Sequence, residues 1–390
     1  MDNTKINKVS LKYRKFFKEI NHFKYMPQTE VSHKFEKVLF IAPATEFGAY
    51  PPNGLLSVAG FLREKGIDVE IIDYSGEKID RKKVMHDIEK SDPDIVATSA
   101  LTGPGLSRAI LVSDVAKELE KYVVWGGPHV TILPRLTLQY PAVDCVVLGE
   151  GEHAFLELIE FLNGKRDSMP NGVGYKNGQI IINPPQNKFV DLETKPLPAW
   201  DLIKNIDKYF PYKKNNIIFI ESHRGCPYRC AFCHHANNEV KDFGGLYRTL
   251  SAKRIMEEFN FIKSLTSKHI NRMDIAGDLQ ISGPSHAEKF SKDMIEIGQD
   301  VRWWSVTRFH LLNEKCAELM AKAGCESIML GVESGSERIQ RLNGKPVVLD
   351  HAIKLTKSLR KHGIFVTNTY MMGHPDETLD ELKLTLQYLK

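Results

Sequence analysis

The 390-residue chain is longer than one ordinary domain and implies two, with an appended tail. Hydrophobic residues at 42% and charged residues at 26% exclude a disordered or collagen-like chain, and a net charge of +4 from 53 basic against 49 acidic residues excludes a strongly basic nucleic-acid groove. No apolar stretch reaches the length needed to cross a bilayer, so no membrane partner is expected and a cytoplasmic location follows by default.

Residues 1–36 form an N-terminal extension rich in Lys and aromatic residues, with an amphipathic helix expected at Leu11–Ile20 that docks on the protein's own body. From Lys37 strands and helices alternate. Val38–Ala42, Val69–Ile72, Ile95–Ser99, Tyr122–Trp125 and Val143–Leu148 are short apolar runs, as buried parallel strands should be. Between them, Leu55–Lys65, Arg81–Lys90, Leu106–Glu120 and Glu152–Leu162 carry helical spacing. This order predicts a doubly wound parallel sheet over 37–165, whose ligand lies beyond the carboxyl ends of the strands. Those ends carry small residues: Ser99, Leu101, Thr102 and Gly103 after the third strand, Gly126 and Gly127 after the fourth, Gly149, Glu150 and Gly151 after the fifth. Tight βα turns also favour glycine, but such loops gathered on one edge favour a ligand. No G-x-G-x-x-G follows the first strand, which disfavours a nicotinamide cofactor.

Residues 166–214 are polar and rich in Pro, Gly, Asn and Lys, with short strand-like pieces at Val173–Tyr175 and Gln179–Ile182. They read as a linker that covers part of a neighbouring domain.

The second domain, 215–390, opens on the apolar strand Asn216–Glu221, which runs into Cys226, Cys230 and Cys233. Six cysteines are present, and three of them fall in this C-x3-C-x2-C loop. In a chain of this length such clustering points to metal or catalysis rather than disulfides. Three thiolates on a short irregular loop can hold three irons of a cubane and leave the fourth open to a small chelating ligand. The competing reading is a zinc site of three Cys with His234 or His235. Arg224 and Arg229 are placed to offset cluster charge. Further strands at Asn271–Ala276, Val301–Thr307, Ser327–Leu330 and Phe365–Met372 alternate with helices, and each ends in Gly and polar residues. Repeated βα units of this kind describe a barrel with its active site at the carboxyl ends.

The cysteine spacing, with the aromatic Phe232 before the last Cys, resembles the radical S-adenosylmethionine superfamily. The phrases PPNGLLSVAGFL, WGGPHVT and VVLGEGE resemble the N-terminal domain of its cobalamin-dependent members. The resemblance implies an α/β protein: a cobalamin-binding parallel-sheet domain followed by a partial (β/α)6 barrel. Five strands are counted in that barrel, so the chain is expected to be cut short at its C-terminus. The resemblance further implies a [4Fe–4S] cluster on Cys226, Cys230 and Cys233. It assigns S-adenosylmethionine contacts to Phe232, Gly277, Asp278, Arg308, Glu333 and Gly373. It assigns cobalamin contacts to Ser99, Leu101, Thr102, Gly126, Gly127, Gly149 and Glu150. Ala276-Gly277-Asp278 departs from the family's G-G-E form, and Pro43–Gly48 lacks the histidine that other cobalamin domains offer to cobalt. For His129 and His153 a surface or supporting role outweighs coordination.

The implied function is a radical methyltransferase acting on an unactivated carbon or phosphorus, with a small-molecule or peptide substrate and an electron donor such as flavodoxin or ferredoxin. The competing functions are a cobalamin-dependent radical cyclase or rearrangement enzyme without methyl transfer, a methylthiotransferase, and a non-enzymatic zinc protein. No residue is assigned to substrate chemistry.

Overall fold

The structure, a computed structural model, describes residues 34–43, 49–212, 216–234, 246–275, 277 and 279–389. The helix expected at Leu11–Ile20, most of the loop Pro43–Gly48, His235 and Asp278 lie outside them.

The first apolar runs become β1 (Lys37–Ala42), β2 (Asp68–Asp73), β3 (Ile95–Ser99), β4 (Tyr122–Gly126) and β5 (Cys145–Val147). They pair in parallel in the order β2-β1-β3-β4-β5. The helices are α1 (Asn53–Glu64), α2 (Arg81–Ser91), α3 (Gly105–Glu118), the short α4 (Pro128–Ile132) and α5 (Pro134–Leu138), and α6 (Gly151–Leu162). Side chains alternate across β1: Val38 and Phe40 join one core with Leu56 and Leu158, while Leu39 and Ile41 join the other with Val112 and Val115. Both faces are therefore covered, and the strand reads as an unbroken apolar run.

The sheet reaches further than expected. β6 (Val173–Asn177) and β7 (Gln179–Ile182) add to β5 in antiparallel fashion, so the first unit extends through Ile182 and the polar connector begins after it. The bare edge of β5 offers a ladder of unpaired backbone groups, and this hairpin fills it.

The connector then wedges between the two units. Ala199 N–H donates to the Leu56 carbonyl on α1 at 3.0 Å. Trp200, Ile203, Ile206, Tyr209 and Phe210 enter the core that also holds Leu56 and Ala59.

The second unit holds β8 (Asn216–Phe219), the small antiparallel pair β9 (His223–Arg224) and β10 (Arg248–Thr249), α7 (Ala252–Leu265), β11 (Ile270–Asp274), α8 (Pro284–Ile297), β12 (Arg302–Thr307), α9 (Glu314–Lys322), β13 (Cys325–Glu333), α10 (Glu337–Leu342), α11 (Leu349–Lys361), β14 (Phe365–Tyr370) and α12 (Leu379–Leu389). Its five long strands lie parallel in the order β8-β11-β12-β13-β14. Ser251 and Asn313 cap α7 and α9 by accepting from Arg254 N and Cys316 N. Ile255, Met256 and Phe259 of α7 share the connector's core, so one apolar body spans both units.

Glu258 is buried in that body and accepts from Trp200 Nε1 at 2.8 Å. Burial pushes its carboxyl up to about 7 from 4.5, against the opposing pull of the Trp200 bond. Between those two values the unfolded chain releases a proton that the folded chain keeps. Stability therefore falls as pH rises through this window, by on the order of 3 kcal/mol in total. Glu258→Gln is expected to abolish that slope and raise the melting temperature at pH 8 but not at pH 4.5. Thermal melts at the two pH values check this, and a glutamine variant that melts lower at pH 8 contradicts it.

Candidate active site

The cysteine loop leaves β9 and returns as β10. His223 pairs with Thr249 and Arg224 with Arg248, so a two-rung ladder closes the base of the excursion. Cys226, Cys230 and Cys233 are half-buried and free of disulfides. Cys233 N–H donates to the Cys230 carbonyl at 2.9 Å and closes a tight turn between the last two cysteines. Ala231 N–H donates to the Asn343 carbonyl at 2.9 Å, which docks the loop on the end of α10. Three half-buried thiols on one short loop are the donor set a cubane takes, one thiolate to each of three irons.

Several expected residues gather against this loop. The Arg308 guanidinium, at the end of β12, lies 3.9 Å from the Tyr228 ring centroid, and the Tyr228 hydroxyl bonds His310 Nε2 at 2.8 Å. Arg308 is buried, yet its Nε and Nη1 have no hydrogen-bond partner. Glu333, at the end of β13, is buried with φ +67° and accepts from Lys345 Nζ at 2.5 Å. Lys345 Nζ also stands 6.0 Å from the Phe232 ring, which is partly exposed. A cavity of about 150 Å³ opens here, lined by Arg308, His310, Gly331, Lys345 and His351 among others. Gly373 N–H donates to Glu377 Oε2 at 2.7 Å, and the next residue, His374, contacts Asn343 beneath the cysteine loop at 3.3 Å.

Gly277 is held by a residue to which no role had been given. A Cβ on Gly277 would come within 2.6 Å of His223 Cε1. His223 Nε2 accepts from Leu279 N–H at 2.8 Å, so its proton is on Nδ1, which donates to Ser222 Oγ at 2.9 Å. Ser222 in turn donates to the Ile275 carbonyl at 2.6 Å. The strand before the cysteine loop therefore pins the turn after β11. A histidine three residues before the first Cys was the available signal, but the Leu279 amide it holds lies more than fifty residues away.

The glycine edge of the first unit also assembles. Ser99 pairs with Gly126, and a Cβ on Gly127 (φ +93°) would lie 2.4 Å from Ser99 Oγ, so only glycine fits there. Gly149 N–H donates to Thr131 Oγ1 at 3.0 Å, which donates to the Gly127 carbonyl at 3.0 Å. Thr102 Oγ1 bonds His129 Nδ1 at 2.9 Å, and burial lowers the basicity of that imidazole. Leu101 is 65% exposed, and Gly103 has open space where a Cβ would stand. His153 stacks edge-on against Phe61 of α1 at 5.0 Å, a packing role.

This edge meets the mouth of the second sheet. Asn53 Nδ2 donates to the Phe219 carbonyl at 3.1 Å, and Tyr50 stacks on Phe219 at the carboxyl end of β8. Arg224 bridges the same junction to Glu150 and Glu152 at 2.8 and 2.7 Å. Arg224 pairs with three carboxylates, counting Glu221, and the Glu150 carboxylate is also held by Arg248. Burial pushes the Glu152 and Glu221 carboxyls up, but the Arg224 and Lys195 charges outweigh it and hold both at about 2.

Comparison with known proteins agrees with this geometry. A B12 binding domain model matches residues 44–159, and the Radical SAM superfamily model matches residues 220–389. An uncharacterized methyltransferase of Pyrococcus horikoshii is 33% identical over 371 residues, covering 92% of this chain and 78% of that protein. The chain belongs to the B12-binding radical SAM family. An anaerobic magnesium-protoporphyrin IX monomethyl ester cyclase of Rubrivivax gelatinosus is 28% identical over 90% of this radical SAM chain and 64% of its own length. The solved structure of the radical S-adenosylmethionine methyltransferase TsrM from Kitasatospora setae, with cobalamin and a [4Fe–4S] cluster bound, shares the fold at TM-score 0.76 and 18% identity, over 91% of this chain and 70% of that one.

A radical SAM enzyme of this family uses a [4Fe–4S] cluster, S-adenosylmethionine and cobalamin. The orphaned Arg308 donors suit the methionine carboxylate of the second of these, since a buried guanidinium without an acceptor is costly. Arg308→Gln is expected to weaken S-adenosylmethionine binding by about 10- to 100-fold, the worth of one or two charge-assisted hydrogen bonds, with iron content unchanged. Equilibrium dialysis on cluster-loaded protein measures this. An affinity within twofold of the parent would place the carboxylate elsewhere.

Proposed function

We propose that this enzyme transfers a methyl group to an unactivated carbon of a small molecule or peptide, with cobalamin on the edge made by Ser99, Leu101, Gly126, Gly127 and Gly149. The observation that carries this reading is the junction itself. The carboxyl edges of both sheets, where each kind of sheet binds its ligand, meet at Tyr50, Asn53 and Phe219. When bound, the cluster supplies the electron that cleaves the sulfonium and cobalamin supplies a methyl carrier.

The chain's own residues prepare the site. Cys226, Cys230 and Cys233 would hold three irons of the cluster and leave the fourth for the chelating ligand. Arg308 would take the carboxylate of S-adenosylmethionine, and Phe232 would offer its adenine an aromatic neighbour. Lys345, which lines the cavity, fixes the buried Glu333 carboxylate behind it. The His223–Ser222 relay holds Gly277 in place for the amino group. The half-exposed cysteine loop leaves room for a docking electron donor of the flavodoxin or ferredoxin class.

The test is anaerobic reconstitution with iron, sulfide and cobalamin, then incubation with S-adenosylmethionine, a reductant and candidate substrates. Methyl transfer predicts S-adenosylhomocysteine and 5′-deoxyadenosine in equal amounts. Deoxyadenosine without S-adenosylhomocysteine would favour a cyclase-type reaction, a second reading supported by the 28% identity to the Rubrivivax cyclase.

A further inference from the structure

A cluster of six charged side chains lies where the first unit meets the base of the cysteine loop. Arg224 donates through Nη1 to Glu150 at 2.8 Å and Glu152 at 3.1 Å. Its Nη2 donates to Glu152 at 2.7 Å, Ser57 Oγ at 3.0 Å and Glu221 at 3.1 Å, and its Nε donates to Glu221 at 2.7 Å. Lys195 Nζ closes the ring to Glu221 at 2.5 Å and Ser57 Oγ at 2.8 Å. Arg248, the cross-strand neighbour of Arg224, also grips Glu150. Three carboxylates face three cations, so the cluster is neutral as a whole.

Such a cluster is poorly explained by stability. The Arg224, Glu152 and Lys195 side chains are only 12%, 3% and 4% exposed. Taking ion pairs that far out of water costs about as much as their attraction returns, and apolar packing of the same volume is often no worse. What the cluster does fix is relative position. It joins α1 through Ser57, the β5–α6 turn through Glu150 and Glu152, the connector through Lys195 and the base of the cysteine loop through Arg224.

The contacts on either side are continuous. The Gly127 carbonyl accepts from Thr131 Oγ1, Thr131 Oγ1 accepts from Gly149 N–H, and Glu150 follows Gly149 in the chain. Glu150 holds Arg224, which is two residues before Cys226. We propose that Arg224 is a positioning residue that couples the Gly127–Gly149 edge of the first sheet to the cysteine loop, so that filling either cofactor site changes the affinity of the other. The inference rests on the two-cofactor reading above. Coupling of this kind is reciprocal, and between linked sites it typically amounts to about 5-fold or more.

The test measures hydroxocobalamin affinity by anaerobic equilibrium dialysis on full-length protein, with and without its reconstituted cluster. In the parent protein the two dissociation constants should differ by about 5-fold or more. In Arg224→Gln the ratio should fall to about one, while iron and sulfide per chain stay at the parent level. Arg224→Lys keeps the charge but lacks the fork that spans three carboxylates, so its ratio should be intermediate. Should Arg224→Gln fail to fold, Arg224→Lys and Glu150→Gln decide the matter by the same ratio. An Arg224→Gln ratio equal to that of the parent overturns the coupling, and so does a parent ratio of one. A parent protein that binds no hydroxocobalamin in either form rejects the two-cofactor reading itself, which is a separate failure.

Discussion

Replacing any one of Cys226, Cys230 or Cys233 by alanine is expected to abolish reductive cleavage of S-adenosylmethionine and to strip most iron and sulfide from the protein. The loop has no thiol to spare. Among the described residues the free thiols outside it, Cys145, Cys316 and Cys325, are buried, and burial raises the pKa of each. None can serve as a replacement thiolate. His234 is on the loop, but imidazole is a neutral donor and would leave the cubane a charge short. Without the cluster no electron reaches the sulfonium, so deoxyadenosine formation should drop to background, a loss of at least about 10⁶-fold on the general scale of enzymatic rate enhancement. Iron and sulfide counts together with chromatography of 5′-deoxyadenosine under reductant check the result. A Cys230→Ala protein that keeps both iron and deoxyadenosine release would sink the assignment of these thiols. The fold should persist in all three variants, because the loop is closed by β9 and β10 and docked through Ala231 on Asn343, contacts that need no metal.

Where the sequence spoke clearly, a short local pattern had one physical solution. The run Val38–Ala42 could only be a strand covered on both faces, and β1 is one. Gly126 and Gly127 stood out as small residues at a strand end, and the structure supplies the reason for Gly127: its left-handed backbone presses on Ser99 and admits no side chain. Cysteine spacing named the metal loop because thiolates are rarely gathered for any other reason. The opacity lay in contacts between distant segments. Nothing in the string around Glu150 distinguishes a cofactor contact from an ion pair with Arg224, some seventy residues later. Likewise Val173–Tyr175 and Gln179–Ile182 are recognisable as strands, but only the free edge of β5 decides that they belong to the first sheet. His223 offers a third case. Its role depends on a Leu279 amide and an Ile275 carbonyl that arrive from the next strand of the sheet. Periodicity describes how a segment folds, and it is silent on which segment comes to meet it.

The connector, which carries no chemistry, should be the most sensitive point for stability. Trp200→Ala is expected to destabilise the protein by about 3–5 kcal/mol, the usual cost of deleting a fully buried large aromatic. Trp200 has no exposed surface, stacks edge-on against Tyr209 at 6.5 Å, and shares one core with α1 and α7. Its removal therefore opens a cavity at the joint between the two units and not inside either of them. It also removes the indole N–H from Glu258, leaving a buried carboxyl without that partner. Trp200→Phe loses the hydrogen bond but only a minor part of the volume, so it should cost less than the alanine change, about 1–2 kcal/mol. Denaturant unfolding followed by limited proteolysis of the connector distinguishes global loss from separation of the units. Separation at the joint predicts faster cleavage between Gln186 and Tyr212 in the alanine variant while each sheet still unfolds cooperatively. An alanine variant with the parent's unfolding midpoint would show that the units do not depend on this joint.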